Sequence, residues 1–318
     1  MFNNFLLALS DISSQHADKI LMICALVLLI EWAFEIKKFI ENKKKPLWKI
    51  ILLFILPLLF IWAFYGEQQM LITKRQTICI KNLPQKFENY KIVFITDTHT
   101  GCPYVDLKKI NRVKDLANKQ KPDMLILGGD YEITGMMFSK YIEADKTAKI
   151  LNKINAPDGK YAILGNHDYF NGKTKVKNQL IQEGFTVLEN RTLNIGSKTE
   201  PLYLTGLGDF DFGEAQSQIL KNIPKEKPSI VLVHEPDEFP QLPYDTDLTL
   251  SGHTHGGQVR IPFLGSLLTP SSYGERYAKG LKTENGKQLF VSSGIGTSIL
   301  PVRFCDPPEI VVITLKRA

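Results

Sequence analysis

The sequence of 318 residues predicts an α/β domain that follows a membrane-anchoring segment. Short apolar, β-branched runs alternate with amphipathic helical patterns over the C-terminal three quarters of the chain, which is typical of α/β folds. Five of these runs end directly at polar residues that can bind a metal ion. Two long apolar runs near the start of the chain predict the anchor.

Residues 1–70 are predicted to form a membrane anchor with two transmembrane helices. Residues 20–34 are apolar except for Glu31, and residues 50–65 are apolar throughout. With the flanking Trp48 and Lys49, the second run approaches the roughly 20 residues needed to cross a bilayer. The chain's three tryptophans, Trp32, Trp48 and Trp62, all lie near the ends of these runs, as membrane-interface residues do. The alternative is a pair of buried core helices.

A lysine-rich hinge between the two apolar runs predicts the orientation of the anchor. The hinge contains Lys37, Lys38, Lys43, Lys44, Lys45 and Lys49. Cytoplasmic loops carry an excess of cations, so the hinge is expected in the cytoplasm and the remaining domain on the periplasmic side of the inner membrane. Two alternatives stay open, namely a solvated loop that binds anionic headgroups and the reverse orientation with a cytoplasmic domain.

Residues 71–318 are long enough to form one domain with a large core. The formal net charge of the whole chain is +6, which favours an anionic substrate or an anionic membrane face. The four cysteines match neither a zinc motif nor a disulfide framework. The chain has no P-loop, and its two Gly-x-Gly sequences lack the spacing of a dinucleotide-binding loop.

Strands and helices are predicted to alternate in this domain. The expected strands are residues 91–96, 124–127, 161–164, 230–233 and 248–250. The expected amphipathic helices are residues 106–118, 141–154, 175–183 and 214–223. In open α/β sheets, ligands bind just beyond the carboxyl ends of the strands, so the polar residues that follow the strands are expected to form a single site.

The residues at these strand ends predict a metal site. Seven candidate ligands are present, namely Asp97, His99, Asp130, Asn166, His234, His253 and His255. This number exceeds the needs of one tetrahedral ion and suits two ions about 3.5–4 Å apart that share a carboxylate. Imidazole and carboxylate ligands without thiolate favour Mn, Fe or Zn over Ca or Mg, with Mn the preferred candidate.

The motifs that carry these ligands resemble the motif series of the calcineurin-like metallophosphoesterases. They are Asp97-x-His99, Gly129-Asp130, Gly165-Asn166-His167-Asp168, His234 and Gly252-His253-x-His255. The resemblance implies a four-layer αββα sandwich with a dinuclear metal site at the strand ends. It also implies that Asp97, His99, Asp130 and His255 hold one ion and that Asp130, Asn166, His234 and His253 hold the other. His167 would then be the catalytic residue that contacts the substrate.

The C-terminal segments resemble a narrower, membrane-associated bacterial branch of this family. The segments are residues 252–262, 294–298, 301–304 and 308–310. The resemblance implies a membrane-anchored hydrolase of phosphodiester or pyrophosphate bonds that acts through a metal-activated water. Its best candidate substrate is lipid-linked, such as UDP-2,3-diacylglucosamine. The alternatives are a cell-envelope, phospholipid or nucleotide phosphodiesterase and a non-catalytic binding module.

Other classes of function and other contacts are weaker interpretations. Two spans without polar residues in the second make a transporter a poor hypothesis. A nucleic-acid partner is not expected, because tethering beside a bilayer would restrict access to polymers. Asp209, Asp211 and Arg303 could either contact substrate or serve in turns and salt bridges.

Overall fold

The computed structural model describes residues 30–34, 36–38, 41, 47–136, 138–243, 245–266 and 268–318. In this part of the chain, an apolar helix precedes a sandwich of two six-stranded sheets. Most of the first predicted transmembrane span and much of the lysine-rich hinge lie outside the described residues.

The helices and strands alternate largely as the sequence predicts. From Leu47 onward, the α-helices are α1 (Leu47–Ile61), α2 (Leu107–Gln120), α3 (Ala144–Leu151), α4 (Asn166–Phe170) and α5 (Lys173–Gln182). The first seven strands are β1 (Ile72–Ile80), β2 (Lys91–Ile95), β3 (Met124–Leu127), β4 (Lys160–Ala162), β5 (Thr186–Val187), β6 (Arg191–Asn194) and β7 (Tyr203–Gly206). The others are β8 (Ser229–Leu232), β9 (Leu248–Ser251), β10 (Arg260–Ile261), β11 (Gly265–Ser266), β12 (Gly280–Glu284), β13 (Lys287–Val291) and β14 (Glu309–Arg317).

The five predicted strands correspond to β2, β3, β4, β8 and β9 and divide between the two sheets. The first sheet has the strand order β1-β14-β2-β3-β4-β5, and the second has the order β12-β13-β9-β8-β7-β6. Strands β2 to β5 are parallel, and so are β7, β8, β9 and β13. Because Ile95 pairs with Leu127 and Leu127 with Ala162, these three strands end side by side.

Apolar residues fill the space between the two sheets and also cover the outer face of each sheet. Phe94, Ile126, Ile230 and Leu250 belong to the buried cluster shared by both sheets. A second cluster joins the other face of the first sheet to α2, α3 and α5. Burial on both faces explains why β3 and most of β8 are apolar runs rather than alternating sequences.

Helix α2 shows how local sequence specifies an element of this layer. The Asp106 carboxylate accepts a hydrogen bond from the backbone N–H of Lys109 at 2.8 Å and so caps the first turn. Ile110, Val113 and Ala117 follow at helical spacing and are buried against the first sheet. The predicted helix is therefore confirmed.

The fourth layer of the expected αββα sandwich is not α-helical in the described residues. The predicted helix at residues 214–223 is instead a short 3-10 helix, Ser217–Asn222. The Asn190 side chain bonds to the carbonyl of Glu214 and the N–H of Gln216, so these groups are engaged outside a helix. Pro224 then favours the extended backbone of Ile223. Two further 3-10 helices, Pro236–Gln241 and Gly274–Tyr277, contribute Phe239 and Tyr277 to the core outside the second sheet.

The second predicted transmembrane helix is not supported. Among the described residues, no helix combines the length and hydropathy needed to cross a membrane. Helix α1 has 15 residues, which at 1.5 Å per residue span about 22 Å of the roughly 30 Å hydrocarbon core. The run then continues as a π-helical turn, Trp62–Gly66.

This turn packs against the sandwich, which explains why the regular helix ends there. The Trp62 indole donates to Glu67 at 3.0 Å, and the N–H of Arg303 donates to the carbonyl of Ala63 at 3.0 Å. Glu67 is buried and accepts from the N–H of Cys305 at 2.9 Å. The apolar run therefore ends in polar contacts with the domain.

Arg303 is fully buried and organises the loop after β13. Its guanidinium donates to the carbonyls of Ser293 and Gly296, each at 2.6 Å, and to that of Asp306 at 2.8 Å. The N–H of Gly296 in turn donates to the carbonyl of Asp97 at 2.7 Å. Arg303 therefore has a structural role, one of the two roles that its sequence position allowed.

We expect Arg303→Met to lower the free energy of unfolding by about 3–5 kcal/mol, because it leaves buried carbonyls without a donor and removes the ion pair between Arg303 and buried Asp306. Urea denaturation of the full chain measures this change. The matched control is Arg276→Met, which removes an ion pair with Glu284 from a side chain that is 56% exposed and should cost less than about 1 kcal/mol. Equal losses in both variants would contradict the structural role of Arg303.

Candidate metal centre

The seven predicted ligand residues come together where the strands of both sheets end. The first sheet contributes Asp97, His99, Asp130 and Asn166, and the second contributes His234, His253 and His255. Ligand atoms lie within 4.8 Å of one another in several overlapping groups, which include Asp97-His99-His255 and Asp97-Asp130-His234. Asn166 and His253 are half-buried, and the other five are buried. The described residues thus form clusters that could hold divalent ions.

Asp130 has the most central position in the cluster. Its Oδ2 lies 3.4 Å from His99 Nε2 and 3.2 Å from His234 Nε2. Its Oδ1 accepts from the backbone N–H of His167 at 3.0 Å. Asp97 Oδ1 is 3.9 Å from Nε2 of both His234 and His255. One carboxylate therefore lies between imidazoles of both sheets.

The imidazoles are oriented by groups outside the cluster. His234 Nδ1 bonds to the carbonyl of Gly128 at 2.7 Å, and His99 Nδ1 to the carbonyl of Glu132 at 3.3 Å. A carbonyl only accepts, so each Nδ1 carries a proton and each Nε2 is the nitrogen that faces the cluster. His99 Nε2 faces His255 Nε2 at 3.1 Å. These two nitrogens are close enough to share a proton or to bind the same cation.

The electrostatics of the cluster also fit a cation. Burial lowers the pKa of His99 to about 3 and, together with the neighbouring His99, lowers that of His255 well below its usual value. These rings are therefore neutral and able to ligate near neutral pH. Burial opposes the charge on His234 as well, but the Asp130 carboxylate outweighs it and raises the pKa well above the usual value. A metal ion would replace that proton.

Unpartnered polar atoms support the same conclusion. Asp97 Oδ2 and His255 Nδ1 are buried and have no hydrogen-bond partner within the described ranges. Burial also raises the pKa of Asp97 to about 6, so its charged form needs a positive neighbour. Buried polar atoms are normally paired, and the mixture of imidazole and carboxylate suits a transition-metal ion or zinc.

Most of the ligand residues have a strained backbone. Asp97, His99, Asp130, His253 and His255 all have positive φ values, between 37° and 67°. Left-handed backbone costs a residue with a Cβ about 1–2 kcal/mol and recurs at functional sites, where the surrounding structure enforces it. These residues therefore adopt conformations that serve the cluster rather than local stability.

The family of the protein follows from comparison with known proteins. A family model described as calcineurin-like phosphoesterase matches residues 90–257, more than half of the chain. The chain belongs to this family. It is accordingly a metal-dependent phosphoester hydrolase, and the cluster described above coincides with the matched residues.

Three relatives illustrate the breadth of the family. The chain is 37% identical over 262 residues to the uncharacterized metallophosphoesterase YkuE of Bacillus subtilis, covering 80% of this chain and 89% of that protein. It is 32% identical over 232 residues to the phosphodiesterase YaeI of Escherichia coli, covering 71% and 82%. A Danio rerio relative, the transmembrane protein with metallophosphoesterase domain, is 27% identical over 287 residues, covering 85% and 63%.

The glycines of the metallophosphoesterase motifs permit the close approach of the ligand loops. Gly129 has a φ of +96°, and a Cβ there would lie 2.8 Å from Nδ1 of His234. A Cβ on Gly252 would collide with Oδ2 of Asp97. Both positions thus need glycine, because any side chain would separate loops of the two sheets.

Asp168 is a positioning residue that the sequence-based site did not include. Its Oδ2 accepts from the N–H of Asp130 at 2.8 Å and of Gly165 at 2.9 Å, and its Oδ1 accepts from the N–H of Tyr131 at 3.0 Å. It is fully buried and ties the loop of Asp130 to the loop of Asn166. Its signal in the sequence was its place in the motif Gly165-Asn166-His167-Asp168.

The other polar residues considered from the sequence have different positions. Asp209 is buried and accepts from the N–H of Phe212 at 3.0 Å, which is a turn contact. Glu235, next to His234, accepts from the N–H of Phe210 at 3.1 Å. Asp211 is exposed. Cys102 is buried, and none of the candidate metal groups in the described residues includes it.

We expect Asp168→Asn to weaken metal binding by about 10–100-fold. The amide nitrogen cannot accept, so one or two of the three N–H groups that the carboxylate now holds lose their acceptor. Calorimetric titration of the metal-free full chain with Mn²⁺ measures the affinity. Asp115→Asn is the matched control, since Asp115 has a side chain that is 62% exposed and pairs with Lys114. Unchanged affinity in Asp168→Asn would show that the loops hold their positions without it.

Proposed function

We propose that the protein hydrolyses phosphodiester or pyrophosphate bonds with the help of two divalent metal ions. The position of Asp130 carries this proposal, because its carboxylate lies between His99 and His234 and can serve both ions. The name of the related phosphodiesterase YaeI supports the bond type. The alternative of a non-catalytic binding module is disfavoured, since every ligand position holds a suitable residue.

The proposed ligand sets follow the two sides of Asp130. Asp97, His99, Asp130 and His255 would hold one ion, and Asp130, Asn166, His234 and His253 would hold the other. The closeness of His253 Nδ1 to Asn166 Oδ1, at 3.3 Å, supports the second set. Mn is favoured over Fe and Zn as the native metal, and the nitrogen-rich ligands disfavour Mg. When bound, the ions would supply Lewis acidity and lower the pKa of a water molecule.

His167 is proposed to assist the leaving group. Its backbone N–H donates to Asp130, which fixes the residue beside the cluster, and its ring lies 4.7 Å from the ring of His99. His167 is half-buried, and its Nδ1 is buried without a hydrogen-bond partner among the described residues, so only part of the residue can contact a substrate. From this position His167 would protonate the leaving oxygen or stabilise the charge that develops on the phosphoryl group.

We further propose that the enzyme acts beside a lipid bilayer on a lipid-linked phosphoester, with UDP-2,3-diacylglucosamine as the sequence-based candidate. The specific observation is the apolar surface of α1, where Phe54, Leu58, Phe60 and Ile61 are all more than half exposed. An exposed apolar surface of this kind favours a lipid or protein partner. The name of the Danio rerio relative also supports a membrane location. The catalytic domain would then lie in the periplasm.

Hydrolysis of bis(p-nitrophenyl) phosphate by the purified chain should require added metal, with Mn at least as effective as Zn and Mg much poorer. Asp130→Ala should reduce turnover more than any other ligand change, because both ions lose a ligand. Absorbance of released nitrophenolate measures the rate, with Asp115→Ala as the control. Full activity in Mg without trace transition metals would refute the ligand assignment, and normal turnover by Asp130→Ala would exclude the bridge.

His167→Ala should lower kcat by roughly 10²–10⁴-fold with both metals still bound, because general-acid assistance has this size. The loss should be smaller for nitrophenyl esters than for alkyl esters, since nitrophenolate leaves without protonation. Rates on both esters and metal content by elemental analysis test the assignment. If metal content falls to one ion per chain, His167 is a ligand and the proposed role is wrong.

The full chain should remain in the membrane fraction after an alkaline carbonate wash, and a reporter fused after Ala318 should be active outside the cytoplasm. Phe54→Asp with Leu58→Asp should release more of the protein, because charge on α1 opposes contact with lipid. Ile181→Asp, on the exposed face of α5, is the matched control. Recovery of the unmodified chain in the soluble fraction would refute the membrane location.

A further inference from the structure

Two exposed phenylalanines lie beside His167. Phe170, the last residue of α4, is 55% exposed, and its ring centroid lies 6.4 Å from that of His167. Phe212 is 43% exposed, and its ring lies 5.0 Å from the ring of Phe170 in an edge-to-face arrangement. The catalytic histidine and the two rings therefore form one continuous surface that opens to solvent.

The loop that carries Phe212 is held by contacts with buried and half-buried groups. The N–H of Phe212 donates to buried Asp209, and the carbonyl of Glu214 accepts from Asn190 at 2.8 Å. The ring of Tyr169 packs against that of Phe212, with a centroid distance of 5.1 Å. The N–H of Asp209 also donates to the hydroxyl of Tyr169 at 3.3 Å. The two phenylalanines are thus presented on a supported surface, which reduces the entropy cost of binding a ligand there.

Charges near the rings do not favour an anionic ligand. Lys173 lies 4.9 Å from the ring centroid of Tyr169 but forms ion pairs with both Glu189 and Glu214. Asp211, adjacent to Phe212, is exposed and would repel a second phosphate. An uncharged group is therefore the better fit for this surface.

We propose that Phe170 and Phe212 form a subsite for a flat, uncharged ring in the leaving group of the substrate. The proposal rests on the phosphodiester hydrolysis proposed above, in which His167 faces the leaving oxygen. It competes with UDP-2,3-diacylglucosamine as the substrate, because the leaving oxygen of that pyrophosphate belongs to a second phosphate. A ring joined to that oxygen would extend from His167 toward the two phenylalanines. Aromatic rings stack favourably on such surfaces, whereas a saturated chain gains only from removal of apolar area from water. The subsite would select aryl or heteroaryl esters over small alkyl esters.

Binding of three phosphonates to the Mn-loaded full chain tests the subsite. Isothermal titration calorimetry with phenylphosphonate, cyclohexylphosphonate and methylphosphonate compares a flat ring, a saturated ring and no ring on the same anionic group. We expect phenylphosphonate to bind about 5–30-fold more tightly than methylphosphonate. Cyclohexylphosphonate should bind more weakly than phenylphosphonate.

Variants of Phe170 and Phe212 test whether these two rings cause the preference for phenylphosphonate. Phe212→Ala and Phe170→Ala should each lower the ratio of phenylphosphonate affinity to methylphosphonate affinity at least threefold, because each removes a stacking surface. The affinity for methylphosphonate itself should stay within twofold. Phe212→Leu should keep the affinity for the cyclohexyl compound and lose the phenyl advantage. Phe263→Ala, which removes a fully exposed ring from the turn between β10 and β11, is the matched control and should leave the ratio unchanged.

Equal binding of the phenyl and methyl compounds by the unmodified chain would overturn the subsite, as would an equal effect of Phe263→Ala. If cyclohexylphosphonate binds as tightly as phenylphosphonate, the subsite does not select flat rings. The proposed ligand would then be wrong, and any apolar group would bind there. Turnover of bis(p-nitrophenyl) phosphate is measured on the same protein. Turnover without a phenyl preference refutes the subsite alone, whereas a phenyl preference without turnover refutes the hydrolase function alone.

Discussion

The buried cluster of carboxylates and imidazoles is the constraint on which the rest of the structure depends. Ligand atoms of Asp97 and Asp130 lie within 4.8 Å of each other and of His234. Two like charges at that distance repel by about 3 kcal/mol at an effective dielectric constant of 20. The strained backbone of five ligand residues adds to this cost. The core between the two sheets supplies the compensation, because it fixes the strand ends from which all these loops start.

The candidate ligands are divided between the two sheets, so the distance between the sheets determines the geometry of the metal cluster. Asp130 and His234 belong to different sheets, yet their side chains approach to 3.2 Å. Side chains such as Phe94 and Leu250 separate the sheets at their centre, and the glycines at positions 129 and 252 let the loops approach at the edge. A change of volume in this core would therefore move one half of the metal cluster relative to the other.

Local patterns in the sequence predicted the elements that depend on local forces. The strands β2, β3 and β8 consist mainly of short apolar runs, and α2 has both its cap and its apolar stripe within one segment. The helix predicted at residues 214–223 failed because Asn190, distant in sequence, engages its backbone. The contacts of Asp168 and Arg303 likewise depend on loops brought together only by the fold. The periodic pattern of apolar residues carries no information about such contacts. The candidate metal ligands, in contrast, were recognisable from their short motifs.

The contacts of Glu67 show that the apolar N-terminal helix and the metal cluster share one network. Glu67 accepts from the backbone N–H groups of Cys305 and Asp306, and Asp306 accepts from Ser293 and pairs with Lys279. A Cβ on Gly256, the residue after His255, would collide with Asp306, so this network lies directly behind a candidate ligand. Breaking it would bury Asp306 without its partners, which is costly. Buried polar contacts, rather than a free linker, join α1 to the domain. A membrane or protein surface that binds α1 would therefore also fix the orientation of the solvent-exposed surface beside His167.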